Sequence, residues 1–193
     1  LLLNDLSKFH RIGRPFIAAD PAGIDHFTKK YRRDRPLVGI SWRSANLERG
    51  KLKSIPLDIL MQRLTQVPCD FVNLQYGEFA DECDAAARLT GAQIHHIPEL
   101  DKKNDINGLA GAISACDHII SISNATIHFA GALGKSASLI LPKSCEWRWG
   151  RTEQTSIWYD SVTIFRQTKL GSWDDALQIM ADDLKHRIQA NAG

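Results

Sequence analysis

Short, nearly continuous apolar runs alternate along the chain with longer stretches in which apolar side chains recur every three or four residues. The first run, Leu37-Val38-Gly39-Ile40-Ser41-Trp42, has the composition of a strand covered on both faces. Further strands are predicted near 71–74, 93–97, 118–122, 137–141 and 162–165, and helices over 56–65, 79–89, 105–115, 126–133 and 173–188. A further helix precedes the first strand and runs to about Arg33, with Asp20 as N-cap and Pro21, whose fixed φ suits the first helical position. Alternating strands and helices give parallel strands joined by right-handed crossovers. The expected fold is therefore α/β: a doubly wound, Rossmann-like three-layer sandwich on a mainly parallel six-stranded sheet, its first and fourth strands adjacent at the switch point. Polar loops are expected from Arg43 to Ser54 and from Lys143 to Asp160, and loops of such length are usually functional or mobile. Leu1 to Phe16 shows no period and reads as a connector. The expected division is thus a connector and helix over 1–35, belonging to an upstream domain, and one nucleotide-binding domain over 36–193.

Composition narrows the function classes. The chain has 193 residues, 44% hydrophobic and 24% charged, enough to bury a full core. The net charge of +2 comes from scattered side chains, which argues against nucleic acid or an acidic membrane surface as a partner. No apolar stretch approaches the length of a membrane span, and Leu1 to Leu6 lacks the basic leader of a secretion signal. Cys69, Cys83, Cys116 and Cys145 lie far apart with no CxxC pair, as expected of a protein kept in a reducing, cytoplasmic compartment. The chain opens without methionine, and the expectation is that it is a piece of something longer.

The chemistry concentrates where the fourth strand meets its helix, in Ile119 to Gly134. A strand running through Ser123, Asn124, Ala125 and Thr126 straight into a helix aims free N–H groups and the positive helix end at one point, an anion site beyond the strand ends. Alternatively Ser123 or Asn124 caps the helix, and Ala130, Gly131 and Ala132 let it pack closely. The loop Arg43 to Lys53 carries Arg43, Arg49, Lys51 and Lys53 after the first strand, which suits a phosphate clamp or a solvated surface. His128, one turn into the helix, either donates to phosphate or fills a packed position. His95 and His96, adjacent on a strand, point to opposite faces, so no metal site is expected from them. Glu146-Trp147-Arg148-Trp149 and Trp158-Tyr159 gather aromatics near the same edge, as core cover or as a platform for a base or sugar. GxGxxG after the first strand, GxxxxGKS and GxSxG are all missing, which argues against a dehydrogenase, a P-loop kinase and an α/β-hydrolase.

Five stretches in order carry a resemblance: Val38 to Ser44; Phe71 to Gly77 with Glu78, Asp81 and Glu82; Ser121 to Gly134; Leu141-Pro142 with Trp147-Arg148-Trp149; and Trp158-Tyr159 with Phe165-Arg166-Gln167. Over about Pro15 to Leu184 the chain resembles the carboxyl-terminal half of GT-B glycosyltransferases. It is most similar to bacterial glycosyltransferases linked to tetratricopeptide repeats, and more distantly to heptosyltransferases and O-GlcNAc transferase. The resemblance implies a nucleotide-sugar donor held without cofactor or metal. Its diphosphate would lie on Ser123, Asn124, Ala125, Thr126 and His128 with Arg43, Lys51 and Lys53. Gln75 and Glu78 match the region of the ribose, and Ile97, Pro98 and Leu100 that of the base. The family commonly carries an aspartate where this chain has Ser123, which puts in question a role in orienting the donor sugar. The amino-terminal Rossmann half, with acceptor site and usually the catalytic base, and the repeats would lie upstream as partners within one polypeptide. The isolated chain is then expected to bind a nucleoside diphosphate weakly and to transfer no sugar. The rival expectations are a noncatalytic module that keeps the half-fold, and a Rossmann-type enzyme acting on another phosphate-bearing ligand.

Overall fold

The computed structural model describes residues 13–44, 46, 50–144 and 146–190; most of the expected connector, Arg49 and Cys145 lie outside the described residues. Among the described residues, six strands form one sheet: β1 (Leu37–Ser41), β2 (Asp70–Asn73), β3 (Ile94–His95), β4 (His118–Ile122), β5 (Ala137–Leu141) and β6 (Val162–Arg166). Their order is β3-β2-β1-β4-β5-β6, and every pairing between them is parallel. The chain winds outward in one direction from β1 and in the other from β4. These two strands are neighbours, with Ser41 in register with Ser121, so a crevice opens above their carboxyl ends.

Among the described residues, seven α-helices accompany the sheet: α1 (Pro21–Tyr31), α2 (Gly50–Lys53), α3 (Leu57–Leu64), α4 (Ala80–Thr90), α5 (Ile106–Ala115), α6 (Ala125–Ala132) and α7 (Asp174–Ala190). Alternation along each strand sorts side chains into two cores. Val38, Ile40, Ile120, Ile122 and Ile140 pack with α3, α4 and α7, whereas Leu37, Val72, Ile119, Leu139 and Leu141 pack with α1, α5 and α6. β1, β4 and β5 are buried at all five positions, which is why they read as unbroken apolar runs. Gly39 sits among them because a Cβ there would come within 2.4 Å of Leu74 Cδ1 and 2.7 Å of Ile119 Cδ1.

Three expectations need correction. The polar loop after β1 contains the single turn α2, too short for any period to reveal. The third strand spans two half-buried residues rather than 93–97, since at the sheet edge only one neighbour holds it. The last helix starts at Asp174 and continues to Ala190. Asp20 caps α1 as expected, its carboxylate accepting from the Ala22 N–H at 3.0 Å. α1 itself packs on α5, with Gly23 and Gly111 at the contact, and buries Phe27 and Tyr31 in the same core as Ile119.

Candidate functional site

Two side chains organise the crevice. Asn124, the N-cap of α6, accepts through Oδ1 from the Thr126 N–H at 3.0 Å and from Ser121 Oγ at 2.9 Å, and donates through Nδ2 to Ser41 Oγ at 2.8 Å. It thereby ties the ends of β1 and β4 to the start of α6. Gln75, fully buried after β2, receives Ser41 Oγ, the Trp42 N–H and the Arg43 N–H on Oε1 at 2.8–3.1 Å and donates to the Tyr76 carbonyl. Gln75 thereby braces the loop after β1 from beneath, and with 1% of its surface exposed it does not face the crevice where a ribose was expected. Of the three N–H groups expected to face an anion, Asn124 bonds the Ile122 carbonyl and Thr126 bonds the cap. Ala125, exposed at the first helical position, keeps an N–H without an acceptor among the described residues.

Around this point the loops converge. Lys53, carried inward by α2, donates from Nζ to the Ser123 carbonyl at 2.9 Å and to Glu146 Oε1 at 3.1 Å. Burial pushes the Glu146 carboxyl up, but contacts with Ser123 and Lys53 outweigh it and hold the pKa below the ordinary value. Ser123 Oγ accepts from Trp149 Nε1 at 2.9 Å, and Trp149 stacks on the His128 ring at 5.1 Å between centroids. His128 Nδ1 lies 3.0 Å from the Tyr159 hydroxyl, and its pKa is lowered mainly by burial and then by Arg148. Both favour the neutral imidazole; when Tyr159 donates to Nδ1, Nε2 carries the proton. Tyr159 stands where a Cβ on Gly131 would fall, 2.3 Å from the ring. Gly131→Ala is expected to displace that ring, destabilising the fold by about 1–2 kcal/mol through overpacking, and to shift the Trp149 fluorescence maximum; an unchanged spectrum and melting curve would contradict this packing.

Two cavities open at the carboxyl edge of the sheet. One of about 540 Å³ lies above β2 and β3, and its lining includes Glu78, Phe79, Ile97, Pro98, Leu100 and Lys102. The other, of about 590 Å³, lies beside β5 and is lined by Asn46, Leu52, Lys53, Ser144, Glu146 and Arg148, with Pro142. Both fall in the size range of small-ligand sites. They stand about three strand spacings apart across the sheet, on the order of 14 Å. The structure thus gathers Glu78, Ile97, Pro98 and Leu100 in one place and sets Lys53 beside Ser123 to Thr126.

Other expected residues lie elsewhere. Arg43 turns away from α6 and pairs with Glu82 on α4, at 2.8 Å and 3.1 Å, over the Phe79 ring. Lys51 is exposed and makes no hydrogen bond among the described residues. His95 lies beside Tyr31 and His96 beside Asp84, on different elements. Sequence reading passed over Glu146 because an acid is the wrong charge for an anion site. It passed over Lys102 because a half-buried lysine looks like any other in sequence.

The first cavity is also braced from outside. Glu99 receives the Tyr31 hydroxyl on both oxygens, at 2.9 and 3.0 Å, and Lys30 Nζ at 2.8 Å. Burial raises the Glu99 pKa, but these hydrogen bonds, its own backbone N–H and the charge of Lys30 hold it down at about 2.

The sheet order and the all-parallel pairing are those of a doubly wound Rossmann-like sandwich, a fold that the chain shares with solved GT-B glycosyltransferases. The chain is similar to Escherichia coli ADP-heptose lipopolysaccharide heptosyltransferase II, with a TM-score of 0.65 and 13% identity over 92% of this chain and 54% of that one. It is likewise similar to a family 9 glycosyl transferase from Veillonella parvula, with a TM-score of 0.57 and 12% identity over 90% of this chain and 46% of that one. For Escherichia coli heptosyltransferase WaaC, solved with ADP, the TM-score is 0.51 and the identity 16%, over 93% of this chain and 52% of that one. The chain therefore spans about half of these solved proteins. In sequence it is 31% identical over 173 residues to Protein FlbA of Caulobacter vibrioides, a match that takes in 88% of this chain and 29% of that protein. No protein-family model matches the chain. Among the described residues no helix is long and apolar enough to cross a membrane.

Proposed function

We propose that the chain is the nucleotide-sugar-binding half of a glycosyltransferase, inverting and independent of metal, that works in the cytoplasm. One observation carries this reading: the start of α6, with Lys53 beside it, lies between a cavity lined by Glu78, Ile97, Pro98 and Leu100 and a second lined by polar and charged groups. A diphosphate over the helix end, where the Ala125 N–H, Lys53 and His128 are the available donors, places a nucleoside on the β3 side and a sugar on the β5 side. Departure of the diphosphate is the step these groups assist, because charge develops on it as the glycosidic bond breaks. Arg43 would join only by leaving Glu82. The acceptor and the base that activates it belong to an upstream Rossmann half, and tetratricopeptide repeats further upstream would recruit the acceptor.

The test is calorimetric titration with UDP, ADP and GDP and their sugars, with sugar transfer assayed in parallel on this chain and on a polypeptide extended upstream. The expected results are weak binding that falls with salt, since an open cleft leaves the charges screened, and transfer by the extended polypeptide alone. Lys53→Ala should weaken diphosphate binding about tenfold and flatten its salt dependence. No diphosphate binding at any salt would favour the noncatalytic module, and transfer by the short chain would overturn the placement of the base.

A further inference from the structure

Ser123 follows β4 with a hydroxyl, and a carboxylate from a different element reaches it. Glu146, in the loop after β5, reaches Lys53 Nζ and the Ser123 side chain and lines the cavity on the β5 side. Its side chain is about one-third exposed, and Arg148 Nη1 lies 3.8 Å from the oxygen that Lys53 holds. A carboxylate offers about four lone-pair sites, so these contacts leave capacity for a ligand. What it accepts must be donors, because a phosphate oxygen at that position would meet its charge at close range. Lys53 then acts as a divider: its ammonium neutralises anionic oxygens toward α6, and the carboxylate it anchors receives hydroxyl groups on the far side.

We propose that Glu146 binds hydroxyl groups of the donor sugar and thereby selects a nucleotide-sugar over the free nucleoside diphosphate. This rests on the reading of the crevice as a nucleotide-sugar site. The same charge disfavours a bare diphosphate, whose terminal phosphate has no sugar to separate it from Glu146. Loss of the sugar thus weakens retention of the product.

The test compares wild type, Glu146→Gln, Glu146→Asp and Lys53→Ala in titrations with UDP, ADP and GDP, with UDP-glucose, ADP-glucose and GDP-mannose, and with inorganic pyrophosphate. Melting curves control for folding. In Glu146→Gln the preference for the sugar-bearing form should fall about tenfold, while pyrophosphate and the free diphosphate bind several-fold tighter. Glu146→Asp should keep part of the preference, and Lys53→Ala should weaken every ligand. If wild type binds diphosphates through Lys53 but Glu146→Gln leaves the preference unchanged, or weakens all ligands alike, this inference fails and the nucleotide site stands. If wild type binds none of the probes, both fall together.

Discussion

Replacing Asn124 by alanine is expected to lower the unfolding free energy by about 2–3 kcal/mol and to abolish measurable nucleotide binding. The cap contributes about 1 kcal/mol, and the bonds to Ser121 and Ser41 each add about as much. Both serine hydroxyls would lose a partner at the end of a buried strand. The loss of binding has a separate cause, since without the cap the Thr126 N–H and the first turn of α6 no longer hold their direction. Asn124→Asp separates the two effects. It keeps the cap through its oxygen but loses the donor to Ser41 and sets a negative charge at the helix start. Helix-end electrostatics alone would favour that charge, so stability should recover in part while the site still rejects a diphosphate. Urea unfolding and titration of both variants would measure this. Full binding by Asn124→Asp would mean that no anion occupies the position assigned to it.

The second large effect is a dependence of stability on pH that arises far from the crevice. His118, at the start of β4, is buried with its ring nitrogens 2.9 Å from Ser136 Oγ and 2.8 Å from Ser138 Oγ, beneath α7. Burial, assisted by the charges of Arg187 and Lys135 and opposed by Asp183, lowers its pKa from 6.5 to about 4. Between those values the unfolded chain takes up a proton that the folded chain refuses, so stability falls as pH drops from about 6.5 to about 4. Above that window the contribution is complete; below it both states are protonated and the loss stops. At 1.36 kcal/mol per unit the whole effect is on the order of 3 kcal/mol. Urea titrations at intervals from pH 7.5 to 4 should show the decline in wild type and a smaller one in His118→Gln, the difference isolating this residue from the carboxylates. A His118 imidazole signal, assigned by its loss in His118→Gln, titrating near pH 6.5 in the folded protein would contradict the assignment.

Legibility followed the range of the forces involved. β1, β4 and β5 were readable because burial on both faces imposes apolar residues at every position, and α1 because Asp20 and Pro21 act within one turn. β3 was overextended because the alternation of strands and helices calls for a strand at 93–97, while the pairing that limits it to two residues is a property of β2. The cavity above β2 and β3 was legible through the resemblance, which gathered Glu78, Ile97, Pro98 and Leu100. The surroundings of Gln75, Arg43 and Glu146 were not legible, for a common reason. Each is defined by a partner more than thirty residues away: the end of β1 for Gln75, Glu82 for Arg43 and Lys53 for Glu146. A charge or an amide in sequence does not say which way it turns.

The grip of Tyr31 and Lys30 on Glu99 has a consequence for how the polypeptide can be divided. Ile97 and Leu100, on either side of Glu99, pack in one core with Phe27 and Tyr31, so α1 works as a strut behind the wall of the β3-side cavity. A truncation at Pro36 would keep all six strands and the start of α6, and still slacken that wall. Whatever discrimination the cavity exerts is therefore set in part by a helix that does not line it, and an expression boundary drawn by strands alone would change selectivity while leaving the fold in place.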